Sequence, residues 1–282
     1  MEPKVVSRME VIGGLRTHFL VAGAGEPLLL VHGIGSSVIT WRYNIETLAQ
    51  HFRVYAVDLI GHGMTEKPHD KRRYTIDEAV WFLGAFCDAQ GLGRVCMLGR
   101  SMGGLLTLAF ALRYPERIRR AVISGSGGLG REVGFPLRLA SIPLLGSVLA
   151  TPTRLAVQRS WDWMFYDTRK VPQELVEEDY RNQNIPGNKK ALLTMARWGL
   201  ALSGQRQRVV LAEQLHAIET LVLVLAGKED RVIPVVHAQR AAALLPNAEL
   251  HLFDQCGHFP QIEKKDEFHD VVLRFLVDEE AT

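Results

Sequence analysis

The segment Gly99-Arg100-Ser101-Met102-Gly103-Gly104 places a serine in a G-x-S-x-G turn, between an apolar run ending at Leu98 and a helical pattern beginning near Met102. A turn this tight leaves no space for side chains at Gly99 and Gly103, which would collide with the neighbouring strand and helix. The serine is pushed out above the sheet. The next N–H lies at a helix N-terminus, where the positive end of the dipole favours a developing oxyanion. Ser101 is the candidate nucleophile.

A serine hydroxyl is weakly acidic, so it needs a base, and the base needs an orienting acid. Of the ten histidines, His258 stands out because Cys256-Gly257-His258 follows the last predicted strand, at the sheet edge where the Ser101 turn opens. His18, His51, His69, His216, His237 and His269 read as solvated surface residues. For the acid, Gly227-Lys228-Glu229-Asp230 follows a strand ending near Leu225. Asp230 is preferred over Glu229 because the G-x-x-D spacing sets it deeper in the turn. The alternative acid position, Ser124-Gly125-Ser126, holds no carboxylate. A second oxyanion donor is expected from His32-Gly33-Ile34-Gly35, where Gly33 and Gly35 let the backbone approach a substrate. The N–H groups of Ile34 and Met102 form the expected pair, and His32 is assigned to holding the loop.

These residues must be carried by strands alternating with helices, which argues for an α/β architecture around a mostly parallel sheet. Strands are predicted over Val5–Val11, His18–Ala22, Leu28–Val31, Val54–Val57, Val95–Leu98, Ala121–Ile123, Leu221–Leu225 and His251–Phe253. Helical patterns cover Tyr43–His51, Ile76–Gln90, Met102–Arg113, Val235–Leu245 and Asp266–Val277. From Gly130 to His216 no convincing buried strand appears, only helical segments rich in tryptophan and methionine, and the stretch is too long for a plain loop. The chain then divides into a core, 1–129 with 217–282, and a helical cap, 130–216. Trp163, Phe165 and Trp198 from the cap, with Arg100 and Phe259 beside the triad, are candidates for the pocket wall.

Gly125-Ser126-Gly127-Gly128-Leu129-Gly130 matches a dinucleotide fingerprint, but Pro136 and Pro143 interrupt the helix that should follow, and no acid lies near positions 145–152. No cofactor is expected. The 282 residues are 47% apolar and 23% charged, with a net charge of +2, which excludes disorder and a nucleic-acid surface. Cys87, Cys96 and Cys256 have no metal-ligand spacing and read as reduced thiols, so no metal is expected. The N-terminal Met1-Glu2-Pro3-Lys4 lacks a secretion pattern, and Leu139–Ala150 is too short to span a bilayer. The expectation is a cytoplasmic monomer or homodimer without stable membrane insertion, although Leu137–Leu149 could touch a membrane surface.

Taken in order, His32-Gly33-Ile34-Gly35, Asp58-Leu59-Ile60-Gly61-His62-Gly63, the Ser101 turn, Asp230 and His258 resemble the α/β-hydrolase family along nearly the whole chain. The resemblance implies an eight-stranded, mostly parallel sheet flanked by helices, a cap after strand 6, and Ser–His–Asp hydrolysis without a cofactor. Serine at 101 argues against dehalogenases and epoxide hydrolases that attack with a carboxylate. Cys256-Gly257-His258, the turn at Gly127–Gly130 and the segment from Phe165 to Glu177 look like hydrolases that cleave carbon–carbon bonds in ring-fission products. Three departures stand against that activity: Arg100 where those enzymes carry Asn, Asp179 where they carry a carboxylate-binding Arg, and Phe259 where they carry Trp. Arg154, Arg181 or Arg197 could replace the missing cation. The expected activity is therefore hydrolysis of a small or medium hydrophobic ester, ahead of carbon–carbon cleavage of a 2-hydroxy-6-oxo-dienoate and of a triad-retaining, receptor-like ligand binder. Ser101→Ala should lower kcat on a p-nitrophenyl ester by on the order of 10⁴-fold or more; unchanged turnover would exclude Ser101 as nucleophile.

Overall fold

The computed structural model describes residues 3–277. Met1 and Glu2, read above for a leader, and residues 278–282 lie outside it. Two antiparallel strands open the chain, β1 (Val6–Ile12) and β2 (Leu15–Ala22), followed by β3 (Pro27–Val31), α1 (Ile45–Leu48), β4 (Arg53–Val57), α2 (Ile76–Ala89), β5 (Val95–Arg100), α3 (Met102–Arg113) and β6 (Ile118–Ser124). The chain next runs through α4 (Phe135–Leu139), α5 (Pro143–Leu149), α6 (Arg154–Met164), α7 (Gln173–Gln183), α8 (Asn188–Gly199) and a small hairpin, β7 (Leu200–Ala201) with β8 (Gly204–Gln205). It returns as β9 (Leu221–Gly227), α9 (Val235–Leu244), β10 (Ala248–Phe253), α10 (Pro260–Glu263) and α11 (Lys265–Leu276).

The main sheet has eight strands in the order β1-β2-β4-β3-β5-β6-β9-β10. β2 runs antiparallel to both of its neighbours, and every pairing from β4 to β10 is parallel. Uninterrupted apolar runs suit strands covered on both faces, because successive side chains point to opposite sides. Leu29, Val31, Met97, Ile123 and Val224 pack with Phe82 and Phe86 of α2 and Leu105 and Leu108 of α3. Their neighbours Leu28, Leu30, Leu98, Val122 and Leu225 face the other way, onto Leu48 of α1 and Phe268, Val272 and Phe275 of α11.

The predicted helix over Tyr43–His51 is shorter than expected, a 3₁₀ turn at Val38–Trp41 followed by the four residues of α1. Buried Asn44 stands between them, and its Nδ2 donates to Gln261 O at 2.9 Å and contacts His269 Nε2 at 3.0 Å. Among the described residues no helix is long and apolar enough to cross a membrane, and Cys87, Cys96 and Cys256 are buried.

The register matters for the site. Val31 is level with Gly99, Arg100 with Ser124, Ser124 with Leu225, and Gly227 with Phe253. The loops after β3, β5, β6, β9 and β10 therefore open along one sheet edge, the carboxyl ends where ligands bind in open α/β sheets. The approach of α3 to this edge depends on glycine. A Cβ at Gly103 would overlap the carbonyl oxygens of Val31 and His32, and one at Gly99 would overlap Gly103 O and Thr107 Oγ1. Backbone atoms cannot swing aside, so Gly103→Ala should cost about 1–3 kcal/mol or more, measured as a lowered urea midpoint. Gly93→Ala, whose Cβ would meet nothing within 4 Å, should change stability by no more than about 0.5 kcal/mol.

Candidate active site

Ser101 sits on the turn between β5 and α3 with φ 55° and ψ −119°. Such a backbone costs of order 1–3 kcal/mol for a non-glycine residue and persists only where its surroundings hold it. Here Ser101 N donates to Ser124 O at 2.9 Å, and Ser101 O accepts from Gly104 N and Gly127 N, each at 3.0 Å. The N–H of Gly127, from the segment that resembled a dinucleotide fingerprint, thus braces the Ser101 turn.

His258 Nδ1 lies 2.7 Å from Asp230 Oδ2. A carboxylate oxygen can only accept this bond, so Nδ1 carries the proton and Nε2 keeps its lone pair. Asp230 is held through Oδ1, which accepts from Val232 N at 2.7 Å and Ile233 N at 3.0 Å. Gly125 makes the pair possible, because a Cβ there would stand 3.0 Å from His258 Nδ1 and 3.2 Å from Asp230 Oδ2. Burial lowers the His258 pKa below its ordinary value; Asp230 opposes this, and the nearby Arg100 cation adds to it. Glu229, the competing carboxylate, turns away and accepts from Cys256 N at 2.9 Å. Ser101 and His258 line the same cavity, and no hydrogen bond joins Ser101 Oγ to the imidazole among the described contacts. Catalytic hydrogen bonds in ligand-free sites are often long and tighten only with substrate.

Two neutral histidines hold the loop after β3. His32 Nδ1 donates to Gly33 O at 2.8 Å while its Nε2 accepts from Leu59 N at 3.1 Å. His62 Nε2 accepts from Gly35 N at 3.1 Å. Burial lowers both pKa values, that of His62 to about 3. Asp58 anchors the neighbouring turn, accepting from Val38 N and Met64 N at 2.9 Å and pairing with His18 Nδ1 at 2.6 Å. The N–H groups of Ile34 and Met102 donate to no protein acceptor among the described backbone bonds, which leaves both for a ligand oxygen.

Two cavities meet at Ser101, sharing Ile34 and Leu137 in their walls. One, apolar and about 90 Å³, is lined by Ile60, Leu105, Leu106, Met195, Trp198 and Val209. The other, about 440 Å³, carries Arg100, His258, Phe259, Trp161, Trp163 and Asp179. A layered stack builds its polar side. The Arg100 guanidinium lies 3.6 Å from the Phe259 ring centre, and Phe259 stacks on Trp161 at 4.9 Å and 8°. Trp161 Nε1 then donates to Asp179 Oδ2 at 2.9 Å. Arg100 is 3% exposed, and its Nε donates to His258 O at 3.4 Å. No carboxylate pairs with it among the described residues. Burial lowers its pKa to about 9, so it is a cation at neutral pH without a protein counter-ion.

Arg100, Trp163, Trp198 and Phe259 therefore line the cavities as expected from their positions, but Phe165 does not. It is buried behind the stack, with its ring centre 5.8 Å from Trp161 and 5.5 Å from Phe259. None of the three arginines suggested as carboxylate binders lines either cavity. Arg154 and Arg181 are exposed and share Glu177, and Arg197 donates to Pro143 O and Ser147 Oγ. His51, His69 and His216 are exposed as expected, whereas His18, His237 and His269 are buried, with partners at Asp58, Glu132 and Asn44. Trp161 escaped the sequence reading because its spacing resembles ordinary helix packing. Among the described residues no cluster of three His, Cys, Asp or Glu side chains could hold a metal ion.

Comparison with protein families matches residues 26–265 to the alpha/beta hydrolase fold. The chain is 35% identical over 283 residues to a 2-hydroxy-6-oxo-2,4-heptadienoate hydrolase of Pseudomonas putida, covering 98% of each. Among solved structures it is similar to a meta-cleavage product hydrolase from Pseudomonas fluorescens (30% identity, TM-score 0.84, 98% of each chain). It is also similar to a 2-hydroxy-6-oxo-6-phenylhexa-2,4-dienoate hydrolase from a Rhodococcus species (26% identity, TM-score 0.86, 97% of this chain and 99% of that one). The glycine-built serine turn, the sheet order and these matches lead to one conclusion: the chain belongs to the α/β hydrolase fold family and is a hydrolase.

Proposed function

We propose that this hydrolase cleaves a carbon–carbon bond in an anionic ring-fission product of the 2-hydroxy-6-oxo-dienoate class. Arg100 carries the reading: a buried cation beside the nucleophile, without a counter-ion, stabilises an anionic ligand and is costly to leave unpaired. In this arrangement the substrate carboxylate pairs with Arg100 in the larger cavity, the group beyond the 6-oxo carbon enters the apolar cavity, and the reacting carbonyl lies at Ser101 between them. Residues 130–216 act as a cap over both. The relatives named above support the substrate class, which reverses the order suggested by the sequence. Arginine in place of asparagine at 100, a departure that pointed towards esters, supplies a buried cation where Arg154, Arg181 and Arg197 supply none, and exposed Arg159 adds a second cation to the wall of the larger cavity.

In the mechanism we infer, Ser101 Oγ adds to the 6-oxo carbon as His258 Nε2 takes its proton, with Asp230 orienting the imidazole and stabilising its cation. The N–H groups of Ile34 and Met102 hold the oxyanion. Its collapse breaks the C5–C6 bond. The released electron pair needs a sink, which the chain provides when C2 is a ketone conjugated through C3=C4, and His258 returns its proton to the carbon fragment. Water, deprotonated by the same imidazole, then frees the acyl group as a carboxylic acid. Ester hydrolysis uses the same groups with an alkoxide leaving, and the apolar cavity favours it as a second reading.

The kcat/KM for 2-hydroxy-6-oxohepta-2,4-dienoate should exceed that for p-nitrophenyl butyrate, and the opposite order would return the assignment to esters. Arg100→Gln should lower kcat/KM for the dienoate by about 30-fold or more, the equivalent of roughly 2 kcal/mol for truncating a buried charge pair. A neutral ester should lose much less. Because neutral imidazole is the base and burial lowers the His258 pKa, kcat/KM for a neutral ester should rise with pH through a midpoint below 6.5 and then level off. A rising limb centred well above that value would contradict the assignment.

A further inference from the structure

Beside the cap lies a surface that the chemistry at Ser101 does not use. A groove of about 900 Å³ between α5, α8 and the chain after β8 is lined by Lys71, Lys189, Lys190, Arg197, Arg206 and Arg208, and no Asp or Glu is among its described residues. Their described hydrogen-bond partners are neutral: Lys189 donates to Thr151 Oγ1 at 2.7 Å, Arg197 to Pro143 O at 2.6 Å and Ser147 Oγ at 3.0 Å, and Arg206 to Leu200 O at 2.9 Å. The whole chain has a net charge of only +2, so six unopposed cations are a local concentration of charge.

These same bonds tie the groove to α5, whose Ser147 lines it. Helical spacing puts Leu144, Leu145, Val148 and Leu149 together on another face of α5. All four are exposed, Leu144 to 85% and Val148 to 71%. Gly146 packs on the side away from them, where a Cβ would overlap Ala140 O, so the contact with the end of α4 fixes which face points outward. Aliphatic side chains exposed as one patch mark an interaction surface. With cations along its flank, this patch has both halves of an interfacial helix: apolar groups that enter the acyl boundary and basic groups that meet phosphates. We propose that this face docks the protein peripherally on an anionic phospholipid bilayer, with α5 at the headgroup boundary and the basic groove against lipid phosphates. A second copy of the chain is a poorer occupant, because a twofold contact centred on α5 brings two such groups of cations together with no carboxylate in either. Leu149 also lines the larger cavity, so a docked molecule sets one wall of its site beside the layer in which apolar compounds concentrate. The inference is independent of which bond Ser101 cleaves.

The test is co-sedimentation of the full chain with vesicles of phosphatidylcholine alone or mixed with phosphatidylglycerol, at low salt and at about 1 M salt, where the screening length falls to about 3 Å. A Lys or Arg at an anionic surface contributes about fivefold to binding. The native protein should therefore bind the anionic vesicles about tenfold or more tightly than the neutral ones, and high salt should remove most of that preference. Equal binding to both vesicles, or none to the anionic ones, overturns the proposal. Leu144→Ser with Val148→Ser, and separately Lys71→Glu with Lys190→Glu, should each weaken binding to anionic vesicles by about tenfold or more. All four side chains are exposed and line neither cavity at Ser101, so the urea midpoint and turnover in solution should stay native. Binding that survives in both double variants overturns the assignment to this face. A native dimer that ignores vesicles and falls to a monomer in the Leu144→Ser, Val148→Ser variant gives the face to a second copy, and the proposal fails. If one double variant does not fold, the other still tests the face.

Discussion

The rest of the site depends on how closely α3 can approach the end of β3. Gly103 lies where any side chain would strike the carbonyl oxygens of Val31 and His32, and Gly99 lies where one would strike Gly103 itself. This close packing forces Ser101 into a left-handed backbone and points the first turn of α3 at the space above the sheet. It also sets the N–H of Met102 beside the loop that carries Ile34. The Ser101 hydroxyl and the free N–H groups of Met102 and Ile34 are thus placed by one steric condition, in which the absence of side chains does the positioning.

Around that contact the protein tolerates an unusual amount of buried polarity. His32, His62, Asp58, Asp230 and His258 are all close to fully buried, and each is engaged by backbone groups at fixed distances. Such groups are costly when unpaired and rigid when satisfied. The loop after β3 is held by two imidazoles whose neutrality burial enforces, so the N–H of Ile34 needs little reorganisation to meet a charge. Arg100 stands apart from these, a buried cation without a carboxylate partner among the described residues, in the wall of the larger cavity.

Much of this was legible in the chain. The inner strands β3, β4, β5, β6 and β9 are written as short apolar runs between turn residues, and the order serine, aspartate, histidine follows from what stands after β5, β9 and β10. The structure places His258 on Asp230, and Glu229 on a backbone N–H instead, as the G-x-x-D spacing suggested. What could not be read was side-chain contact across distant segments. His18 and His237 look like surface residues until the fold supplies Asp58 and Glu132. Phe165 and Trp161 lie four residues apart near the end of one helix, and only tertiary packing turns the tryptophan to the cavity wall and leaves the phenylalanine behind it. Arginine at 100 looked like a departure from a family pattern, whereas its burial and lack of a counter-ion exist only in three dimensions.

The backbone N–H of His258 donates to Met164 O at 2.7 Å, and Glu263 reaches from α10 to the N–H groups of Gly257 and Tyr166. The segment that carries the His258 imidazole is therefore stapled to the end of α6. Were α6 to swing outward, it would drag the imidazole with it and part His258 from Asp230. The outward-facing leucines of α5, Leu144, Leu145 and Leu149, carry no such tie to the imidazole.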